Sequence, residues 1–151
     1  MLRRIAPPYR FLIDECLGEN IVPQAVTEAL EPGEQVIRFG DSDEFKRGTK
    51  DEIWLRKAGA AGLVIVTKDD RMRFRPNERL SLIEANAAVF AVSSATGPKM
   101  AEQLVRAMPT MRRVLRGQKP PFVGKVLDAG HIALALLGGD EVRKIIKRPN
   151  R

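Results

Sequence analysis

Sulfur, imidazole and aromatic rings are scarce in this chain: one cysteine, one histidine, one tryptophan, one tyrosine and six phenylalanines in 151 residues. A single cysteine excludes an intrachain disulfide and points to a reducing compartment. With only one histidine beside it, no Cys/His zinc set can form and a Cys/His nucleophile has few ways to be built. Cys16 therefore reads as a small packing residue, and His131, between Gly130 and an apolar run, as a structural or surface residue. Also missing are a Gly-rich phosphate loop and a serine framed by glycines at a strand-to-helix turn. No apolar run approaches the ~20 residues a membrane helix needs. The opening Met1-Leu2-Arg3-Arg4-Ile5-Ala6-Pro7-Pro8 has the charge of a signal peptide without its apolar stretch, so an untargeted, cytoplasmic protein is expected.

Charge is what the chain has in abundance, and it is unevenly spread. Residues 11–70 carry 13 acidic and 7 basic side chains, whereas residues 71–151 carry 16 basic and 6 acidic ones, within a net charge of +7. An acidic front half and a basic back half suit a cation site beside a surface for a polyanion. The length is that of one domain, expected to span residues 1–151 with loose ends at 1–10 and 147–151.

Residues 11–13 and 63–67 (Phe11-Leu12-Ile13 and Leu63-Val64-Ile65-Val66-Thr67) are short apolar runs that close on acids, Asp14-Glu15 and Asp69-Asp70. Such runs read as strands buried on both faces. Residues 35–39 and 88–92 read as further strands. Helices are expected after Asn20, with Val22, Val26, Ala29 and Leu30 on one face, and from Thr49, whose spacing to Glu52 is that of a capping box. Trp54, Leu55, Ala58 and Ala61 would be its buried stripe. Pro76-Asn77-Glu78 opens another helix carrying Leu80, Ile83 and Ala87. Met100, Leu104, Met108, Met111 and Leu115 recur at core-helix spacing, with Pro109 expected to kink or divide that helix. Residues 122–126 form a late apolar run, 132–137 is ambiguous, and Val142, Ile145 and Ile146 suggest a last amphipathic helix. Strands alternating with helices predict an α/β fold of three layers, α/β/α, with a central, mostly parallel sheet and right-handed crossovers.

In open α/β sheets ligands bind at the carboxyl ends of the strands, and there this chain offers carboxylates. Three or four of them at ~5 Å and an effective dielectric of ~20 repel by about 3 kcal/mol per pair, so a cation must neutralise them. Hard carboxylate oxygens favour Mg²⁺ or Mn²⁺, which can activate water and stabilise charge at phosphorus without any histidine. The alternative is that each aspartate simply accepts hydrogen bonds from a loop or a helix end. A signalling receiver domain also clusters acids at strand ends, but it needs a lysine closing its last strand, and Lys125 falls inside the 122–126 run.

Asp14 after the first strand, Asp51-Glu52-Ile53-Trp54-Leu55 opening a helix, and Val64-Ile65-Val66-Thr67-Lys68-Asp69 closing a central strand resemble the PIN-like domains related to VapC-type toxin ribonucleases. The resemblance runs from about residue 11 to residue 74. It implies an endoribonuclease using Mg²⁺ or Mn²⁺, often the toxin of a toxin–antitoxin pair and often a homodimer, with RNA as substrate and an antitoxin as partner. By position, Asp14, Asp51 and Asp69 match the family's acids, with Glu52 as a substitute for Asp51 and the Thr67 hydroxyl in support. For the fourth acid the chain offers Asp70, which we take, and between Asp70 and Met100 only Glu78 and Glu84 besides. Arg71, Arg73, Arg75 and Arg79 follow directly and are candidates to hold RNA phosphates; Phe74 among them is expected to be buried. The competing reading is a non-catalytic PIN-like module that binds RNA or a protein.

Overall fold

The computed structural model describes residues 3–94 and 96–150. Seven strands form one sheet: β1 (Arg10–Ile13), β2 (Gln35–Arg38), β3 (Val64–Thr67), β4 (Ala88–Ala91), β5 (Phe122–Val126), β6 (Ile132–Leu136) and β7 (Val142–Ile146). Their order is β2-β1-β3-β4-β5-β6-β7; β2 through β5 in that order are parallel, and β6 and β7 are added antiparallel. Helices α1 (Ile21–Glu28) and α4 (Gly97–Gly117) cover one face, and α2 (Asp51–Ala60) and α3 (Pro76–Glu84) the other. This is the three-layer α/β/α arrangement. β3 and β4 are apolar along their length because both faces are covered, and every residue in them is buried.

The methionine stripe of α4 is core, with Met100, Leu104, Met108, Met111 and Leu115 all buried. Pro109 does not divide the helix, which runs unbroken to Gly117. Pro109 and Val105, whose carbonyl loses its helical partner, both face solvent, where water can supply the missing bond. One ion pair ties α4 to the strand that opens the opposite edge. Arg112 donates to Glu34 through Nε (3.1 Å) and Nη2 (2.8 Å), and to the Ala29 carbonyl (3.0 Å), with side chains only 8% and 4% exposed.

Several expectations are corrected. Residues 142–146 are a strand: Val142, Ile145 and Ile146 are spaced as on a helix, but pairing with β6 across the turn at Gly139 (φ 84°) imposes the extended form. Residues 132–136 are its partner strand. Within the segment 1–10, expected to be loose, Ile5 packs on the core, Tyr9 is buried and Arg10 starts β1; Met1, Leu2 and Arg151 lie outside the described residues. Leu80 is exposed and Leu82 takes the buried position, and Ala87, expected on the same helix, lies beyond its end at Glu84, just before β4. The crossovers are not all of one hand. The steps β3 to β4 and β4 to β5 move the same way across the sheet, yet α3 and α4 lie on opposite faces, so one of the two is left-handed, against the usual rule.

Candidate active site

β1 leaves the core by way of α1 on one face, and β2 returns to β3 by way of α2 on the other. The chain therefore parts between β1 and β3, whose carboxyl ends form the switch point at which such sheets bind ligands. Asp14 directly follows β1, and its amide continues the ladder to the Val66 carbonyl (2.8 Å). The fully buried Thr67 ends β3. Its hydroxyl donates to Asp14 Oδ2 (2.8 Å) and accepts the Asp69 amide (3.1 Å), so one side chain orients one acid and fixes the backbone of another. Burial pushes the Asp14 carboxyl above its usual range; hydrogen bonds from Thr67 and Cys16 oppose that, and the charge of Asp51 adds to it.

Asp51 is the first residue of α2, and Oδ1 accepts the indole N–H of the buried Trp54 (2.9 Å), which orients the carboxylate from within the helix. The capping box expected from Thr49 and Glu52 does not form. Thr49 Oγ1 turns back to the Lys46 carbonyl (2.6 Å), and Lys50 stands at the cap. Asp69 follows β3 through Lys68. Glu78 lies in the first turn of α3, which Pro76 opens. Carboxylate oxygens of Asp51, Asp69 and Glu78 lie within 4.8 Å of one another, the one such group among the described residues.

Of the sequence-derived site residues, the fold thus brings together Asp51 and Asp69, with Asp14 and Thr67 immediately behind them. Asp14 and Glu52 fall outside the group of three. Asp70, expected as the fourth acid, points away and pairs with Lys125 Nζ (3.2 Å), while Glu78 stands in the group. Glu78 was visible only as a later acid at a helix start; nothing local says that the 71–75 turn folds α3 back onto Asp51.

A positive charge already lies across two of the three carboxylates. Arg75 reaches Asp69 through Nη1 (2.5 Å) and Nη2 (3.3 Å), and Glu78 through Nη1 (2.7 Å). Burial nevertheless raises the Glu78 carboxyl above its ordinary range, with Arg75 opposing and the neighbouring Asp51 adding to the rise. Arg73 and Arg79 are also engaged, at 2.9 and 3.1 Å from the two oxygens of Glu141 in the β6–β7 turn. Burial would raise the Glu141 carboxyl, but these two arginines outweigh it and hold it low. Arg71 gives its amide to Asp69 Oδ1 (3.0 Å) and leaves its side chain exposed.

Phe74, expected in the core, is 64% exposed, with the Arg73 guanidinium 4.0 Å above its ring. Residues 72–74 form a short 3-10 turn, so Met72 alone of the alternating run points inward. Cys16 is exposed as a residue, but its sulfur lies against Thr67 Oγ1 (3.6 Å) and the Lys68 amide (3.4 Å). Burial of the thiol, then the charge of Asp14, pushes it up to about 11. His131 accepts the Arg148 amide at Nδ1 (2.8 Å), which fits the structural role expected of it.

The donor set of Asp51, Asp69 and Glu78 is all hard oxygen, partly open to solvent and stabilised by a positive charge in its midst, and these three residues could hold a divalent cation. No described helix is long and apolar enough to cross a membrane. No curated protein and no solved structure matches the chain. Residues 9–94, which carry every element that builds this site, match the family described as PIN like domain, and the chain belongs to that family.

Proposed function

We propose that this protein is a metal-dependent endoribonuclease. The observation that carries the reading is the convergence of Asp51, Asp69 and Glu78 at the sheet's carboxyl edge, with Asp14 behind them, in a family whose members are commonly nucleases. These three carboxylates would hold Mg²⁺ or Mn²⁺, which would supply an activated water and neutralise charge at a phosphodiester. Thr67 keeps Asp14 and the Asp69 backbone in register, Trp54 orients Asp51, and Arg75, released from Asp69 and Glu78, can turn to a substrate phosphate. The resemblance to VapC-type toxins extends the proposal to a homodimer restrained by an antitoxin. RNA incubated with the protein in Mn²⁺ should be cleaved, cleavage should stop in EDTA, and Asp69→Asn should abolish it. Cleavage that survives both changes would refute the assignment.

The Arg75 clamp favours a second reading. An arginine that neutralises Asp69 and Glu78 without any ion is what a non-catalytic module would also contain. Under that reading, Mn²⁺ would not bind and RNA would be held uncut.

A further inference from the structure

At the end of the sheet opposite the acids lies a pocket of about 400 Å³. Arg10, Gly62, Asn86 and Pro120 line it, and they stand at or just before the first residues of β1, β3, β4 and β5. With a rise of about 3.3 Å per residue along β1, Arg10 is roughly 13 Å from Asp14, so this pocket is separate from the carboxylates. Arg3 and Arg4 complete the lining from the segment that precedes β1, outside the family-matched residues 9–94. No carboxylate lines the pocket, and among the described residues none pairs with Arg3, Arg4 or Arg10. Arg10 is fixed in place, because Nη2 donates to the Ala61 carbonyl at the end of α2.

The helix ends beside the pocket absorb only part of this charge. α2 and α3 finish side by side there, and Gly59 lets them touch: a Cβ on it would stand 2.3 Å from the Ala85 carbonyl oxygen. Each helix C-terminus is worth about −0.5 of a charge, roughly −1 for the pair, so three guanidiniums leave a surplus of about two positive charges. A phosphomonoester carries about −1.5 to −2 at neutral pH and matches that surplus, whereas a carboxylate or a phosphodiester would balance about half of it. Guanidinium forks also fit phosphate oxygens in pairs. The pocket is larger than a phosphate, and Ile5, Pro8 and Pro120 give it an apolar wall where a small organic body can lie. We propose that this pocket binds a small organic phosphomonoester, about the size of a mononucleotide, with its phosphate held by Arg3, Arg4 and Arg10. Neither a metal ion nor the nuclease chemistry enters into this binding.

The test is a calorimetric titration of the full chain with AMP in EDTA, where the carboxylates hold no metal that could capture the phosphate. AMP should bind, adenosine should not, and inorganic phosphate should displace AMP. At a hundredfold excess over its dissociation constant, AMP should raise the melting temperature by roughly 5–10 °C. Arg10→Gln should weaken binding about tenfold or more, the loss expected for a hydrogen bond to a charged group. Arg10 also holds the Ala61 carbonyl, so Arg3→Gln with Arg4→Gln provides a second variant; both are exposed and precede β1, and together they should weaken binding at least as much while the ligand-free melt stays at the wild-type temperature. A wild-type protein that does not bind AMP, or an affinity that neither variant changes, would overturn the site. Adenosine that binds as tightly as AMP would overturn it as well, because the pocket would then hold the ring and not the phosphate. So would a single-stranded RNA 12-mer that depends on these arginines where AMP does not bind, because the ligand would then be a chain of diesters.

Discussion

Replacing Arg75 with Gln asks whether the arginine and a metal ion compete for the same carboxylates. Three acids within 4.8 Å of one another repel by about 3 kcal/mol per pair at an effective dielectric of ~20, so the site needs a compensating charge. In the metal-free protein Arg75 supplies it, through contacts at 2.5 Å to Asp69 and 2.7 Å to Glu78. Its side chain is 49% exposed, so solvent screening limits each ion pair to about 1 kcal/mol, or about 2 kcal/mol for both. In EDTA, Arg75→Gln should therefore melt roughly 4–8 °C below wild type, at 2–4 °C per kcal/mol for a chain of this size. In Mn²⁺ the order should close or invert. A metal entering the wild-type site displaces the guanidinium and forfeits those contacts, whereas the variant has none to lose, so its affinity should rise roughly thirtyfold. Calorimetric titration with Mn²⁺ gives the affinity, and melts at a hundredfold excess over the dissociation constant should show about 2.7 kcal/mol of added stability. A variant that melts with wild type in EDTA and binds Mn²⁺ with the same affinity would show that Arg75 neither balances the acids nor blocks them.

Three further outcomes follow from other contacts. Glu34→Gln should cost about 3 kcal/mol at pH 7, because it leaves Arg112 buried without its bidentate partner. Burial raises the Glu34 carboxyl, but Arg112 and the Glu31 amide outweigh it and hold it low, so the gap to wild type in thermal melts should be full above the unfolded carboxylate range and close as pH falls through the depressed folded value. The Cys16 thiol, pushed up from 9 to about 11, should hold roughly a hundredfold less thiolate at pH 8 than an ordinary cysteine, so iodoacetamide should label it slowly in spite of its exposure. Asp14→Asn should speed that labelling, and an unchanged rate would deny the influence of Asp14. Thr67→Val keeps the shape of a buried side chain but removes the hydroxyl between Asp14 and Asp69. It should lose about 1–3 kcal/mol in denaturant melts and, on the proposed nuclease reading, lower kcat, while Thr67→Ser should recover most of both.

Local pattern made the alternation of strands and helices readable, because an apolar run bounded by Gly62 and acids can be buried in few other ways, and it placed Asp14, Asp51 and Asp69 at element ends where a parallel sheet gathers them. It also identified the α4 stripe as core, since that stripe repeats over about four turns and nothing competes with it. Short segments were a different matter. In residues 142–146 the apolar spacing of i, i+3 and i+4 is that of a helix, yet so short a segment yields to the hydrogen-bonding edge of β6, which selected the strand. Phe74 lay in an alternating run that, on pattern alone, could equally be buried; the tight turn at 72–74 left room under the core for Met72 only. The choice between Asp70 and Glu78 could not be read from spacing either. Adjacent residues after a strand point in different directions, so Asp70 went to Lys125 while α3, folded back over the sheet, delivered Glu78 from nine residues beyond Asp69. Residue types and element ends decided which side chains could reach the edge, and the packing of α2 against α3 decided which carboxylates share it and that an arginine lies between them.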